Sequence, residues 1–373
     1  MVRCKAMRLV VRRALVFFGI AYCCWGAERW MVQYFYDKNE SALEIRDFRC
    51  PSAEHCVAAG VLSFAKRNRQ PVALLTDDGG AHWSQVDLRE EPQALAFLDD
   101  RTGWMATDEG VWKTSDGGRK WSKLAKLAGL EAIYFRDENH GFAAGYPKAA
   151  YESADGGKTW TKIGAASEVD TFGRATVYDC IAFSGREHGF ILGHSQNTSG
   201  GQAPAWLDPQ RAQRRGGSAA TRILLETKDG GKTWKSFVKV GKSGLIQIVP
   251  GPAETALGLF DFPDFAELGT EVRKLDLSNN EQHDSFAAAN RLVTGMALFA
   301  GEGLLAAVEV NGQLKDLPIP GKLAMIESED LENWTEMSVD YRAVARRAMI
   351  SGPDPQHVWV ATDTGMILKR SGP

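Results

Sequence analysis

Short apolar runs alternate with polar, glycine-rich segments along most of the chain, as in Ala132-Ile133-Tyr134-Phe135 and Cys180-Ile181-Ala182-Phe183. Runs this short, closed off by Gly, Asp and Asn, read as β-strands joined by turns. Four of the turns carry one phrase, Ser/Thr-x-Asp-Gly-Gly-x-x-Trp, at Thr76–Trp83, Thr114–Trp121, Ser153–Trp160 and Thr227–Trp234. Its aspartates recur at intervals of 38, 39 and 74 residues, which signifies repeat architecture. Asp before Gly-Gly is hairpin chemistry. The carboxylate accepts backbone N–H bonds just ahead of it, glycine takes the positive φ angles, and the Trp anchors the outgoing strand. The structural positions are therefore Asp78, Gly80 and Trp83; Asp116, Gly118 and Trp121; Asp155, Gly157 and Trp160; and Asp229, Gly231 and Trp234. One active site does not need four equivalent carboxylates on separate turns, so these are read as turn-makers and not as catalytic or metal-binding groups.

A second phrase precedes the first in each unit: His140-Gly141-Phe142, His188-Gly189-Phe190, and the variants at His55, Thr102 and His357. Each unit reads as strand, turn, strand, loop, strand, Asp-Gly-Gly turn, strand. That is a four-stranded antiparallel meander of propeller-blade size. The recurring histidines share one repeat slot, which suits turn capping better than acid–base catalysis. Seven units are counted, the fifth and sixth weakly marked: 42–88, 93–127, 129–163, 175–240, 245–279, 290–337 and 343–373. The last lacks a fourth strand. Trp30-Met31-Val32-Gln33-Tyr34-Phe35-Tyr36 is a strand without a unit, and its pairing into the last blade would close the ring. The expected fold is an all-β propeller of seven four-stranded blades, with six or eight as the alternatives, and with an insertion at 194–221 in residues 28–373.

Arg3, Lys5, Arg8, Arg12 and Arg13 precede an uncharged apolar run from Ala14 to Ala27. Residues 1–27 read as a signal peptide, with an uncleaved anchor as the rival; the run is short for a membrane span, and no other apolar run is long enough to cross a bilayer. Removing this segment takes away five positive charges and no negative ones, moving the net from −3 to −8. An acidic, exported protein in the periplasm or outside the cell does not suit nucleic acid. Export permits disulfides, and Cys50 and Cys56 flank a turn-like stretch, so they are the candidate pair. Cys180 is expected as a buried free thiol. No zinc spacing, phosphate loop or other cofactor signal is present, and no cofactor is expected.

The Asp-Gly-Gly phrase is identified as the Asp-box, or bacterial neuraminidase repeat. Together with Tyr134-Phe135-Arg136-Asp137-Glu138-Asn139-His140-Gly141-Phe142 running into Ser153–Trp160, it resembles the photosystem II stability/assembly factor family and its non-photosynthetic bacterial relatives. The resemblance covers 42–240 well and the remainder loosely. It implies an exported seven-bladed propeller that binds another protein without catalysis. The alternative is a sialidase-like glycoside hydrolase with a glycan ligand. Phe48-Arg49-Cys50-Pro51 is similar to the Phe/Tyr-Arg-Ile-Pro phrase of sialidases, yet no second and third arginine or Tyr–Glu pair can be assigned.

In such a meander the turns between strands 1 and 2 and between strands 3 and 4 share one face. The connections from strand 2 to strand 3 and from blade to blade share the other. Long loops on that second face are the natural binding elements. The stretch 194–221 is such a loop, and its Trp206, Arg211, Arg214 and Arg215 are the candidate contact residues for a protein or acidic ligand. The alternative is a Gly/Ser-rich insertion without a role.

Overall fold

The computed structural model describes residues 29–38, 40–65, 68–195, 220–241, 243–261, 269–310 and 319–371. Seven four-stranded antiparallel blades form a ring. Blade 1 comprises Ser41–Arg49, Cys56–Phe64, Arg69–Thr76 and Ser84–Asp87. Blade 2 comprises Pro92–Phe97, Gly103–Thr107, Gly110–Thr114 and Ser122–Lys126, and blade 3 Leu130–Phe135, Gly141–Gly145, Ala149–Ser153 and Thr161–Lys162. Blade 4 comprises Thr176–Ser184, His188–Ser195, Ala220–Thr227 and Lys235–Gly241, and blade 5 Gly244–Pro250, Thr255–Asp261, Thr270–Asp276 and Glu281–Ala287. Blade 6 comprises Arg291–Phe299, Glu302–Glu309, Gly321–Ser328 and Thr335–Val339. Blade 7 takes Ala348–Asp354, His357–Thr362 and Met366–Ser371 from the end of the chain and Arg29–Phe35 from its beginning.

The first strand of each blade touches that of the next, and Ala348–Asp354 of blade 7 touches Ser41–Arg49 of blade 1. The core follows from this arrangement. Each of the seven interfaces between neighbouring blades holds one apolar cluster, including Leu43, Phe48, Trp359 and Ile367 between blades 1 and 7, and Phe142, Tyr178, Ile191 and Leu225 between blades 3 and 4. Burying both faces of every blade is what removes the exposed sheet surface a lone meander would keep.

The ring closes as the chain pattern predicts, with two differences. The closing strand runs Arg29–Phe35 and leaves Tyr36 outside it. It also pairs on its other edge, in parallel, with Thr335–Val339 through Arg29↔Ser338 and Trp30↔Val339, joining blades 6 and 7 into one sheet. Trp30 is fully buried at this junction. Blade 5 reaches further than the sequence units show. Its fourth strand, Glu281–Ala287, is polar and largely exposed, so no apolar run announces it. No helix among the described residues is long and apolar enough to cross a membrane.

Candidate functional site

The Asp-Gly-Gly turns build one face. In blade 3, Ser153 Oγ donates to Asp155 Oδ1 at 2.9 Å and accepts the Gly157 N–H at 2.9 Å. Thr76, Thr114 and Thr227 do the same with Asp78 and Gly80, Asp116 and Gly118, and Asp229 and Gly231. Gly156 and Gly157 have φ of +78° and +91°, which a side chain would strain. The N–H of the first glycine in each turn donates to the 1–2 turn of its own blade: Gly79 to Glu54, Gly117 to Arg101, Gly156 to Asn139, Gly230 to Glu187. Both turn types therefore lie on one face. The carboxyls of Asp78, Asp155 and Asp229 are lowered to about 2 by hydrogen bonds from His82, Thr159 and Thr233. These groups are charged and already satisfied. Ser328, Asp330 and Leu331 form a turn one residue shorter in blade 6, with Leu331 at φ +64°.

The turn tryptophans meet the aromatic that ends the first strand edge-on: Phe97 with Trp121, Phe135 with Trp160 and Phe183 with Trp234. Those phenylalanine rings lie over Gly103, Gly141 and Gly189, where an added Cβ would come within 2.6, 2.4 and 2.3 Å of them. Blade 1 has Cys50 and Cys56 at the matching positions, and the two form a disulfide. The covalent pair thus takes the place of the phenylalanine-over-glycine contact. The slot histidines do not act alike. His140 and His357 bond to Asp137 and Asp354 within their own turns. Buried His55 and His188 instead reach Asp77 at 2.8 Å and Glu226 at 2.7 Å, which belong to the third strand and its turn.

The opposite face opens into the central channel, a cavity of about 850 Å³ lined by the first strands of all seven blades. Six of those strands slip register by one residue against their second strand: at Arg46, Gln93, Glu131, Asp179, Ile246 and Thr294. All six bulge residues line the cavity. A β-bulge leaves one residue unpaired and re-aims its side chain, and here six equivalent bulges form a ring. Blade 7 has no slip at this level and contributes Arg346 and Arg347.

Most charges in the mouth are paired. Arg46 meets Glu91 at 3.0 Å, Arg346 meets Asp363 at 2.8 Å, Asp179 meets His194 at 3.3 Å, and Arg222 pairs with Asp261. Arg49 bonds the Leu95 carbonyl at 3.0 Å and Asp47 at 3.1 Å, and buried Asp47 in turn accepts the Leu95 N–H at 2.7 Å, tying blade 1 to blade 2. Two groups differ. The Glu131 carboxylate has no hydrogen-bond or ion-pair partner among the described residues, and the Arg347 guanidinium bonds the Arg46 carbonyl at 2.6 Å but no carboxylate among them, while the Arg347 backbone N–H donates to Asp363 at 3.1 Å. Desolvation raises the Glu131 carboxyl above its usual range, with Asp108 and Asp179 adding to the rise and Arg46 and Arg347 opposing it. Cys180 also lines the channel, half-buried, and burial raises its thiol to about 11. It stays protonated and is a poor nucleophile.

Arginines 211, 214 and 215 and Trp206 lie outside the described residues, as does the 1–27 segment. The strands that bracket the 194–221 insertion place His194 and Arg222 in the channel lining, so the insertion springs from the channel-mouth face. The bulge ring was not read from the sequence. Its six members share a position and no residue type, and only alignment of the units four residues before Cys50, Phe97, Phe135 and Phe183 would have exposed it. The residues that line the mouth include arginines around Arg49 but no tyrosine among those described.

No family model and no curated protein matches the chain. Solved structures do. "YCF48 bound to D1 peptide" aligns over 94% of this chain and 96% of its own, with a TM-score of 0.61 at 16% identity. YCF48 from Cyanidioschyzon merolae aligns over 91% and 98%, with a TM-score of 0.57 at 16% identity. The GH74 xyloglucanase from Xanthomonas campestris aligns over 91% of this chain and 53% of its own, with a TM-score of 0.60 at 11% identity. The fold is thus a β-propeller like that of the photosystem assembly factor YCF48, and also like that of a glycoside hydrolase.

Proposed function

We propose that the chain is an exported, non-catalytic propeller that binds another polypeptide across its channel mouth. The observation that carries this reading is the ring of six bulge residues aimed into an open cavity, while the opposite face spends its polar groups on its own turns. The fold likeness to a propeller whose structure is described as bound to a D1 peptide supports a protein partner. On this reading Trp206, Arg211, Arg214 and Arg215 are proposed as further contact residues for the partner, and the disulfide suits an oxidising compartment. The second reading is a glycoside hydrolase, favoured by the likeness to the GH74 enzyme and by Arg49 standing at the mouth among other arginines.

The test places a photo-crosslinking residue at Gln93 or Thr294 in the mouth and at Lys120 or Lys158 on the turn face, in cells that export the protein. Polypeptide adducts are expected from the mouth positions alone. Equal labelling from both faces, or none from the mouth, would sink the proposal. A fluorogenic sialoside or xyloglucan oligosaccharide turned over by the wild type and not by Arg49→Ala would establish the second reading instead.

A further inference from the structure

We infer that the channel mouth recognises a mixed-charge segment, with a cationic side chain docking at Glu131 and a carboxylate at Arg347. This rests on the polypeptide-binding reading and names what that partner presents. The bulge positions, together with Arg346 and Arg347 of blade 7, which has no bulge at this level, separate charge by blade. Arg346 and Arg347 of blade 7 and Arg46 of blade 1 stand on one arc, Glu131 of blade 3 and Asp179 of blade 4 on another, and Ile246 and Thr294 of blades 5 and 6 leave the remaining arc uncharged.

Within this ring the protein satisfies most charges itself and leaves one of each sign available. Arg46 is held by Glu91 and by the Pro92 carbonyl at 3.3 Å, and the Asp179 carboxylate lies 3.3 Å from His194 Nδ1, an ion pair only when that imidazole is protonated. Among the described residues the Glu131 carboxylate has no partner, and the Arg347 guanidinium spends one N–H on a backbone carbonyl and pairs with no carboxylate. The two belong to one cavity, and the Arg347 charge is felt at the Glu131 carboxyl. They do not neutralise each other by contact. A carboxylate held partly out of water and without a partner disfavours its own charged form, so a ligand cation that pairs with it gains from relieving that cost. A purely acidic ligand would meet Glu131 and Asp179 as repulsion, and a purely basic one would meet Arg46, Arg346 and Arg347. A segment carrying both charges across a short flexible spacer meets neither penalty.

The experiment is a fluorescence-anisotropy titration of the purified full chain with labelled acetyl-Glu-Gly-Gly-Lys-amide. Its two singly charged relatives, with Gln replacing the Glu or the Lys, serve as controls. The mixed-charge peptide is expected to bind roughly fivefold or more tightly than either relative at low salt, the size of one partly exposed ion pair. Glu131→Gln should erase the advantage over the relative that lacks Lys, and Arg347→Gln the advantage over the relative that lacks Glu. Both side chains are solvent-accessible at the mouth, and thermal unfolding of each variant checks that it is folded. Equal affinity for all three peptides, or no saturation by the mixed-charge peptide, overturns the inference. Mouth adducts in the crosslinking assay with equal peptide affinities would leave polypeptide binding standing and the charge rule refuted. Peptide discrimination that survives both Glu131→Gln and Arg347→Gln would place the binding elsewhere and overturn the inference.

Discussion

Asp155 and Glu131 belong to one blade and to opposite faces of the ring. Asp155 accepts bonds from Ser153, Lys158 and Thr159 and is held at about 2, so its charge is part of the turn. Glu131 stands on a bulge, without a partner among the described residues, and its carboxyl is raised by desolvation. The same contrast extends around the molecule. Carboxylates at the repeated turn positions brace backbone, whereas the bulge positions carry a different residue in each blade. A residue type that returns in every repeat serves what every repeat needs, which is folding. The positions where the repeats disagree are where one blade can be given a task.

The contrast can be broken most forcefully at the turn face. Replacing both disulfide cysteines, Cys50→Ser with Cys56→Ser, is expected to cost about 2–4 kcal/mol in chemical denaturation. Cys50→Phe with Cys56→Gly should recover much of that loss by restoring the ring-over-glycine contact of blades 2, 3 and 4. If the Phe/Gly pair is no better than the Ser pair, the two contacts are not equivalent. Next in size, Gly157→Ala is expected to cost about 1–3 kcal/mol, because φ is +91° and the new Cβ would lie 3.1 Å from the Phe135 ring. Gln93→Ala in the mouth should change stability by less than about 0.5 kcal/mol. Equal losses would erase the difference between the faces.

Smaller effects sharpen the comparison through pH. The folded value of Asp155 is depressed, so its contribution is present above the ordinary carboxylate range and is lost as pH falls toward 2. Asp155→Asn should therefore lower the melting temperature at neutral pH, and the gap to wild type should narrow in acid. Glu131 carries the opposite sign. Its folded value is raised, so its contribution is present below the ordinary glutamate value and is lost as pH rises through the raised one. Glu131→Gln is expected to stabilise the protein at neutral pH by no more than about 0.5 kcal/mol, because water screens the open mouth, and to have no effect at pH 3. A melting temperature lowered at neutral pH would show Glu131 to be structural.

Much of the architecture was legible in the chain because turn chemistry is specific. Asp-Gly-Gly-x-x-Trp specifies a hairpin, the spacing of its four copies sets the length of a blade, and the orphan strand before unit one supplies the closing edge. What stayed hidden follows from weaker patterns. Glu281–Ala287 forms the exposed outer strand of blade 5, where no burial imposes alternation. The parallel pairing of Arg29–Phe35 with Thr335–Val339 joins segments about 300 residues apart and leaves no local trace. The bulge ring is a matter of backbone register, and residues as unlike as Arg46, Glu131 and Ile246 occupy it. The arginines at 211, 214 and 215 stand out by composition alone and lie outside the described residues.

The most direct measurement is an NMR titration of the side-chain carboxyl carbons of Asp78, Asp155, Asp229 and Glu131 in one sample. The three turn aspartates are expected to titrate near 2, and Glu131 above its ordinary range. Addition of the mixed-charge peptide should move Glu131 downward alone. Ordinary values at all four positions, or a peptide response at the turns and none at Glu131, would contradict the assignment of bracing to one face and binding to the other.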